Sequence, residues 1–255
     1  MAGLDVLEGR AAVVTGAASG IGLAVTEAFV AAGMRVLMTD RDDERLAAQT
    51  ERLASDGGEV RSLVADVTDP DAMERAADAA VEHFGKLHVA MNNAGIVAGG
   101  NSWELPLSEW RRVVDVDLWG VIHGVHAFVP RILASDEPGW VVNTASMAAV
   151  TTIPGIGPYT ASKHGVLGLS DGLRAELQAI GAPVGVSVVM PGMIRTSMNP
   201  VGTIGPEQVA ANVVDAIRRG RDYVFTDHHS IKAVENRLQA IIAARAEVVH
   251  QGTVS

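Results

Sequence analysis

The sequence has no cysteine, few aromatic residues and fewer basic than acidic residues. The absence of cysteine excludes disulfides and thiolate metal sites, and it fits a reducing cytoplasm, where we expect the protein to reside. The formal net charge of −10, from 20 basic and 30 acidic residues, argues against nucleic-acid binding. No apolar run approaches the ~18 residues of a membrane span, and residues 1–8 lack the pattern of a secretory signal. We therefore expect neither nucleic acid nor membrane as a partner.

Short apolar runs of the strand type alternate with helical patterns along the chain. The runs predict strands at 11–14, 35–39, 59–65, 88–91, 141–144, 184–189 and 222–226. The patterns between them predict helices, including one over 107–133 that is interrupted near Pro130 and a C-terminal one over 231–248. This alternation with short connections predicts an α/β, doubly wound Rossmann fold whose seven-stranded parallel sheet has helices on both faces. We expect residues 1–255 to form a single domain.

A glycine-rich turn follows the first predicted strand. Thr15-Gly16-Ala17-Ala18-Ser19-Gly20-Ile21-Gly22 precedes a helical pattern that stops at Gly33. Glycines permit a tight turn, and the N–H groups at the start of a helix favour an anionic pyrophosphate. The order of strand, glycine turn and helix predicts a dinucleotide site, although similar turns also occur without a ligand.

The second predicted strand ends at Asp40. A carboxylate there can hydrogen-bond the hydroxyls of an adenosine ribose and would repel a 2′-phosphate. Arg41 follows directly and could favour that phosphate, whereas residues 17–19 of the glycine turn carry no basic side chain. We predict NAD rather than NADP as the cofactor.

Tyrosine is scarce, yet one of the two tyrosines stands four residues before a lysine. If Tyr159 and Lys163 lie on one helix they share a face, and an ammonium beside a phenol favours the phenolate used in acid–base catalysis. The alternative is a core tyrosine followed by a solvated lysine. The first interpretation is favoured by the residues that follow predicted strands, because they converge at one edge of a parallel sheet. These residues are Gly16, Asp40, Asp66, Asn93, Ser146 and Pro191.

Taken together, these motifs resemble the compact branch of the short-chain dehydrogenase/reductase family. The resemblance rests on Thr15-Gly16-x-x-x-Gly20-x-Gly22, Asn92-Asn93-Ala94-Gly95, Ser146, Tyr159-x-x-x-Lys163, and Pro191-Gly192 with Thr196. It covers residues 8–200 strongly and the following residues weakly. It implies hydride transfer between NAD(H) and a secondary alcohol or ketone.

The resemblance also implies roles for individual residues. Tyr159 would be the general acid or base, Lys163 would lower the pKa of that phenol and hold the nicotinamide ribose, and Ser146 would polarise the substrate oxygen. The cofactor contacts that the family pattern implies besides Tyr159 and Lys163 are Gly16, Ser19, Gly20, Ile21, Gly22, Asp40, Arg41, Asp66, Val67, Asn93, Ala94, Gly95, Pro191, Gly192, Ile194 and Thr196.

One position departs from the family pattern. Asp117 stands where relatives usually have the asparagine that completes the catalytic set, in a helix irregularity whose backbone carbonyl holds a water on the proton path. An ionised aspartate accepts hydrogen bonds but donates none. We expect the backbone role to survive and Asp117 to be tolerated; the alternative is an aspartate that faces solvent.

The segment that covers the pocket in many relatives is short here. Only residues 197–205 separate Thr196 from the helix that Pro206 opens, which predicts an open or shallow pocket. Apolar residues next to the motifs are the candidates for the substrate wall, and they favour an uncharged, apolar alcohol or ketone. They are Ile96, Val97, Met147, Met193 and Met198.

Glycines recur at helical spacing in two predicted helices, as Gly120 and Gly124 and as Gly165, Gly168 and Gly172. A glycine inside a helix costs about 1 kcal/mol relative to alanine, so a close approach should compensate. In the family the corresponding helices often form a dimer interface, which implies a homodimer or homotetramer. The alternative is close packing onto the protein's own sheet.

Other polar and aromatic residues point less clearly to a site. His123 and His126 are three apart on a predicted helix, but no third ligand stands at a suitable spacing, so we predict no metal site. His228-His229 are predicted to lie in a loop. Trp103 and Trp110 could line the pocket mouth or pack elsewhere.

Two other functions would suit a fold of this type. A non-catalytic NAD(P)-binding sensor or scaffold would be expected to lose the serine, tyrosine or lysine, and all three are present. A sugar-nucleotide epimerase or dehydratase of the extended branch would use a G-x-x-G-x-x-G turn and a larger C-terminal domain, and neither is seen.

Overall fold

The computed structural model describes residues 3–226 and 231–251, so His228-His229 lie outside the described residues. Seven strands are present: β1 Ala11–Thr15, β2 Arg35–Asp40, β3 Val60–Val64, β4 Val89–Asn92, β5 Gly139–Thr144, β6 Val184–Met190 and β7 Tyr223–Phe225. They form one sheet in the order β3-β2-β1-β4-β5-β6-β7, and every neighbouring pair is parallel. The predicted doubly wound, seven-stranded Rossmann architecture is confirmed.

Helices connect successive strands and are α1 Gly20–Ala31, α2 Asp43–Ser55, α3 Pro70–Phe84, α4 Leu107–Val114, α5 Gly120–Leu133, α6 Gly157–Ala179, α7 Pro206–Arg219 and α8 Ile231–Gln251. Local chemistry sets several of their starts. Asp42 caps α2 by accepting the Arg45 N–H, and Pro70 occupies the first turn of α3, where its missing N–H costs nothing. No described helix is both long and apolar enough to cross a membrane.

Alternating side chains of the buried strands pack on the two faces of the sheet. On β1, Ala12 and Val14 join a core with α1, α2 and α7, while Ala11 and Val13 join a core with α3, α5 and α6. Strands covered on both faces read as continuous apolar runs, which is why the sequence pattern located them.

The order in which strands are added to the sheet reverses between β1 and β4. The chain runs outward from β1 to β3 and then returns to place β4 on the other side of β1. In such sheets, ligands bind outside the carboxyl ends of the strands at this switch point. The fold therefore places the turns after β1 and β4 side by side.

The long helical stretch before β5 is interrupted, but not where the sequence suggested. A π-helical segment, Asp115–Trp119, lies between α4 and α5, whereas α5 continues through Pro130 to Leu133. The predicted interruption near Pro130 is wrong. Pro130 removes one helical hydrogen bond, but burial of Phe128 and Ile132 on either side holds α5 in place, and the Pro130 carbonyl still accepts the Ala134 N–H.

The helical glycines divide into two groups. A Cβ at Gly120 would lie 2.7 Å from Val67, one at Gly124 would lie 1.9 Å from Asn92 Oδ1, and one at Gly165 would lie 2.9 Å from Leu118. These three glycines serve packing within the chain. A Cβ at Gly168 or Gly172 would meet no described atom within 4 Å.

Candidate active site

The glycine turn joins β1 directly to α1. Gly16 and Gly20 have φ angles of +66° and +55°, which side chains rarely adopt, and a Cβ at Gly22 would lie 2.1 Å from the Gly16 carbonyl oxygen. Ser19 precedes α1 without a side-chain capping bond, and no acidic residue occupies the first turn. The N–H groups at the start of α1 are therefore available to an anion. This set of donors fits the pyrophosphate of a dinucleotide.

The end of β1 also fixes the turn after β4. The Thr15 hydroxyl oxygen accepts the N–H groups of Asn93 (2.9 Å) and Ala94 (3.1 Å), and Asn93 Nδ2 donates to the Thr15 carbonyl at 3.0 Å. A Cβ at Gly16 would lie 2.9 Å from Ala94 Cα, so only glycine permits this contact. Thr15 belongs to the sequence motif of the glycine turn, but the motif alone did not predict this function.

The Asp40 carboxylate is held at the end of β2. Oδ2 accepts the Ala18 N–H and Oδ1 accepts the Asp42 N–H, both at 3.1 Å. These two hydrogen bonds fix the orientation of the carboxylate. Asp40 therefore presents fixed negative charge beside the glycine turn, while Arg41 and Arg45 also line the cavity there.

Ser146 follows β5 and begins a 3-10 turn, Met147–Ala149. Its Oγ accepts the Ala148 N–H at 3.1 Å, which orients the hydroxyl and leaves its hydrogen free to be donated. The Met147 N–H donates to the Pro191 carbonyl at 3.0 Å. The segments after β5 and β6 are thereby joined at the same edge of the sheet.

Tyr159 and Lys163 lie one turn apart near the start of α6. The Lys163 Nζ is 5.3 Å from the centroid of the Tyr159 ring and donates to the Thr144 carbonyl at 3.1 Å. Lys163 is 2% exposed, so the alternative of a solvated lysine is wrong.

Asp117 provides the counter-charge for this lysine. Its Oδ2 lies 3.1 Å from Lys163 Nζ, its Oδ1 accepts the Ile96 N–H at 2.8 Å, and its side chain is fully buried. The alternative of a solvent-facing aspartate is wrong. The sequence carried a signal for this burial, because Asp117 falls four residues from both Val113 and Val121 on the apolar stripe of a helical stretch.

Burial and charge act in opposite directions on both members of this pair. Burial raises the pKa of Asp117, although the Lys163 ammonium and the Ile96 N–H oppose the change. Burial alone would lower the pKa of Lys163, but the Asp117 carboxylate and the Tyr159 phenol outweigh it, and that pKa is raised. Lys163 is therefore held as the ammonium.

One cavity of about 1000 Å³ contains these groups. It is lined by Ser146, Tyr159, Lys163, all five candidates for the substrate wall and the predicted cofactor residues, with one exception. Gly22 packs beneath the turn, and Asp117 lies beneath the cavity floor. Sequence reasoning missed further lining residues because they lack a motif and reach the cavity only through the fold: Thr151, Thr152, Ile153, Ile156, Ile204 and Ala233.

Charge is unevenly distributed along this cavity. Besides Lys163, the charged residues that line it are Asp40, Arg41, Asp42, Arg45 and Asp66. Asp40 ends β2 and the other four follow β2 or β3, so all five lie on one side of the glycine turn. The opposite part, beyond Ser146 and Tyr159, is lined by apolar or uncharged polar side chains.

His123, His126, Trp103 and Trp110 lie apart from the cavity. His123 Nδ1 pairs with the Val67 carbonyl, and His126 Nδ1 with Glu74. Among the side chains described in residues 3–226 and 231–246, no cluster of three or more histidine, cysteine, aspartate or glutamate residues could hold a metal. Neither Trp103 nor Trp110 lines the cavity.

Comparison with known proteins gives consistent results. Residues 10–203 match the model of the short chain dehydrogenase family. The chain is 43% identical over 233 residues to 1-deoxy-11-beta-hydroxypentalenate dehydrogenase of Streptomyces avermitilis, covering 87% of this chain and 86% of the relative. It is 37% identical over 215 residues to cyclohexanol dehydrogenase of an Acinetobacter species, covering 79% and 84%.

Solved structures of the same family are similar throughout. A short chain dehydrogenase/reductase from Burkholderia phymatum in complex with NAD has a TM-score of 0.92 and 32% identity, covering 94% of this chain and 97% of that chain. A short chain dehydrogenase from Burkholderia cenocepacia in complex with NADP has a TM-score of 0.80 and 29% identity, covering 87% and 98%. Members of the family bind NAD(P), and the residues described above fit such a cofactor.

The buried ion pair generates a prediction about stability. Lys163→Met should lower the free energy of unfolding by about 3–5 kcal/mol at neutral pH, because it leaves Asp117 charged, buried and unpaired. Adding Asp117→Asn should restore much of the loss. Urea unfolding of the two variants measures both effects.

A matched control is Lys86→Met, since Lys86 pairs with Glu137 on the surface, where solvent screens the charges and the loss of stability should be much smaller. The raised pKa of Asp117 determines how the stability loss of Lys163→Met depends on pH. A native carboxyl with a raised pKa costs stability above that pKa, so the deficit of Lys163→Met should shrink as acid protonates Asp117. An equal loss in both lysine variants would contradict the assignment.

Proposed function

The chain belongs to the short-chain dehydrogenase/reductase family, and we propose that it transfers a hydride between NAD(H) and a secondary alcohol or its ketone. One observation carries the proposal: Ser146, Tyr159 and Lys163 line the same cavity as the glycine turn and Asp40. The acid–base group, the group that activates it and the cofactor residues therefore share one space.

The cofactor would be held by this chain's backbone and carboxylate donors and acceptors. The N–H groups at the start of α1 would bind the pyrophosphate, Asp40 the adenosine ribose, and Lys163 the nicotinamide ribose. Ile194 and Thr196 would hold the carboxamide. When bound, the nicotinamide would supply or accept the hydride.

The protein's side chains would transfer the proton and hydrogen-bond the substrate oxygen. In ketone reduction, Tyr159 would donate its phenolic proton to the carbonyl oxygen; in alcohol oxidation, it would accept the hydroxyl proton. Ser146 would donate to the same oxygen, because its Oγ already accepts the Ala148 N–H and its hydrogen is free. Lys163, held by Thr144 and Asp117, would stabilise the phenolate form of Tyr159.

NAD is the favoured cofactor because of how Asp40 is held. Both carboxylate oxygens are fixed by backbone N–H groups, so the charge cannot turn away from a 2′-phosphate. Arg45 pairs with Asp42 at 3.3 Å, which reduces its availability to a phosphate. Arg41 is the remaining cation beside Asp40 on the cavity wall.

The substrate would be an uncharged, predominantly apolar alcohol or ketone. Beyond Ser146 and Tyr159, the cavity presents Met147, Met193 and Met198 and no charged side chain among its described lining. Met193 and Met198 are half exposed, which suits an open pocket. Relatives with similar sequences are named for a hydroxy compound and for cyclohexanol.

Self-association through α6 is the proposed assembly. A Cβ at Gly168 or Gly172 would meet no described atom within 4 Å, although glycine is unfavourable inside a helix. A second copy at this face would account for both residues, and it would produce a homodimer or, with a further interface, a homotetramer.

Tyr159→Phe tests the acid–base role. Loss of the phenolic proton should reduce turnover about 10²–10⁴-fold, whereas calorimetry should show NAD binding within a few-fold of the wild type. The matched control is Tyr223→Phe, the only other tyrosine, which lies on β7 and donates to Asp171 outside the cavity. Persistent turnover by Tyr159→Phe would refute the mechanism. If NAD bound but no member of a panel of secondary alcohols and ketones reacted, the sensor or scaffold alternative would be favoured.

Asp40→Asn tests the cofactor preference. Removing the charge while keeping the shape should raise the ratio of kcat/KM for NADP over NAD at least about tenfold, equivalent to ~1.4 kcal/mol. Asp43→Asn is the control, since Asp43 is exposed in the first turn of α2 and does not line the cavity. Steady-state assays with both cofactors measure the ratio. An unchanged ratio would show that Asp40 does not determine the cofactor preference.

Light scattering tests the proposed assembly. The wild type at micromolar concentration should show two or four times the monomer mass, and Gly172→Gln should reduce it by obstructing the α6 face. Ala179→Gln, on the last turn of the same helix, should leave the mass unchanged. A monomeric wild type would contradict the prediction.

A further inference from the structure

Asp117 is a fully buried carboxylate for which the proposed reaction has no direct use. It does not line the cavity, so it touches neither substrate nor cofactor, and it differs from the asparagine implied by the family resemblance. A buried charge is costly unless it is paired, so its presence requires a physical account.

The Lys163 ammonium is the charged group in contact with the Asp117 carboxylate. The π segment directs its side chain between α6 and the turn after β4, where Oδ1 accepts the Ile96 N–H and Oδ2 faces Lys163 Nζ at 3.1 Å. Gly95 lies against this pair, since a Cβ there would be 3.4 Å from both Oδ2 and Nζ, at van der Waals distance.

Oδ2 is held mainly by charge. Oδ2 lies 3.1 Å from Nζ as an ion pair, and it accepts no well-aligned hydrogen bond from the side chains described in residues 3–226 and 231–246. Nζ donates instead to the Thr144 carbonyl at 3.1 Å. The carboxylate therefore acts on the ammonium as a counter-charge more than as a fixed acceptor.

The titratable and charged groups that act on this pair can be named element by element. α6 contributes Lys163 and Tyr159, and α4 contributes Arg112, a more distant positive charge. The turn after β4 and the end of β5 contribute backbone groups of Ile96 and Thr144. Asp115 lies on the same π segment and is exposed to solvent.

We propose that Asp117 is a positioning residue that neutralises the Lys163 ammonium and thereby sets the pH range in which Tyr159 exchanges its proton. This inference rests on the proposed function, because it assigns Tyr159 the acid–base role. Without the Asp117 carboxylate, the Tyr159 phenolate would be the remaining counter-charge for the buried Lys163 ammonium, so loss of the phenolic proton would be favoured; an existing Asp117–Lys163 ion pair favours it less. Replacing the carboxylate with a neutral group should therefore make the phenolate form at lower pH.

A titration without substrate or cofactor tests the charge effect directly. The chain has only two tyrosines, so Tyr223→Phe leaves Tyr159 as the sole source of phenolate absorbance. In this background, Asp117→Asn should lower the midpoint of phenolate formation by about one pH unit. Asp115→Asn, the same change two residues away on the exposed side of the segment, should leave the midpoint unchanged. A variant with both tyrosines replaced supplies the blank.

The activity profile supplies the second readout. For an alcohol oxidised by the wild type, the rising limb of kcat/KM against pH should move down by a similar amount in Asp117→Asn and not in Asp115→Asn. If Asp117→Asn does not fold by circular dichroism, Asp117→Ser is the second neutral variant. A midpoint that stays in place or rises would overturn the inference. A wild type without activity would contradict the proposed function instead. The phenolate titration would still test whether Asp117 acts as the counter-charge of Lys163.

Discussion

The site depends on how the fold accommodates one buried ammonium. A lysine as enclosed as Lys163 is destabilising unless it is both paired and hydrogen-bonded. The end of β5 supplies a carbonyl, and the π segment supplies the Asp117 carboxylate. Three elements therefore meet at Nζ, and the contacts that make this charge tolerable also hold it beside the Tyr159 ring. Stability and placement of the charge come from the same contacts.

The π segment has consequences beyond the ion pair. Such segments widen a helix by one residue per turn and are often found at functional sites. Here the segment buries Asp117 while leaving Asp115 exposed, and Asp117 Oδ1 restrains the N–H of Ile96 in the cavity wall. Thr15 restrains the same turn from the other side through Asn93 and Ala94. The turn after β4 is thus fixed at both ends by side chains that do not form the cavity surface.

Much of this arrangement could be predicted from the sequence, because parallel strands are buried on both faces and their ends converge at one edge. The glycine turn, Asp40, Ser146 and the Tyr159–Lys163 pair were all located by that reasoning, and the structure gathers them in one cavity. Contacts between segments distant in the sequence could not be predicted in this way. The Asp117–Lys163 ion pair joins two helical segments across a turn, so no local spacing encodes it. The π segment breaks the 3.6-residue period, and the interruption was therefore placed at Pro130, the residue that most obviously opposes a helix.

Charged and apolar residues occupy different parts of the cavity, and this division bears on how charge is handled at the centre. Fixed charges and helix N–H groups lie where the anionic and hydroxyl groups of a dinucleotide would bind, and the opposite part is apolar. Between them, a bare ammonium would draw anions toward the reacting centre and compete with binding of a neutral ketone or alcohol. Pairing Lys163 with Asp117 reduces that field while leaving its N–H donors in place. Such a centre would bind a neutral substrate without a large electrostatic penalty, and the proton and hydride would move where little net charge has to be desolvated.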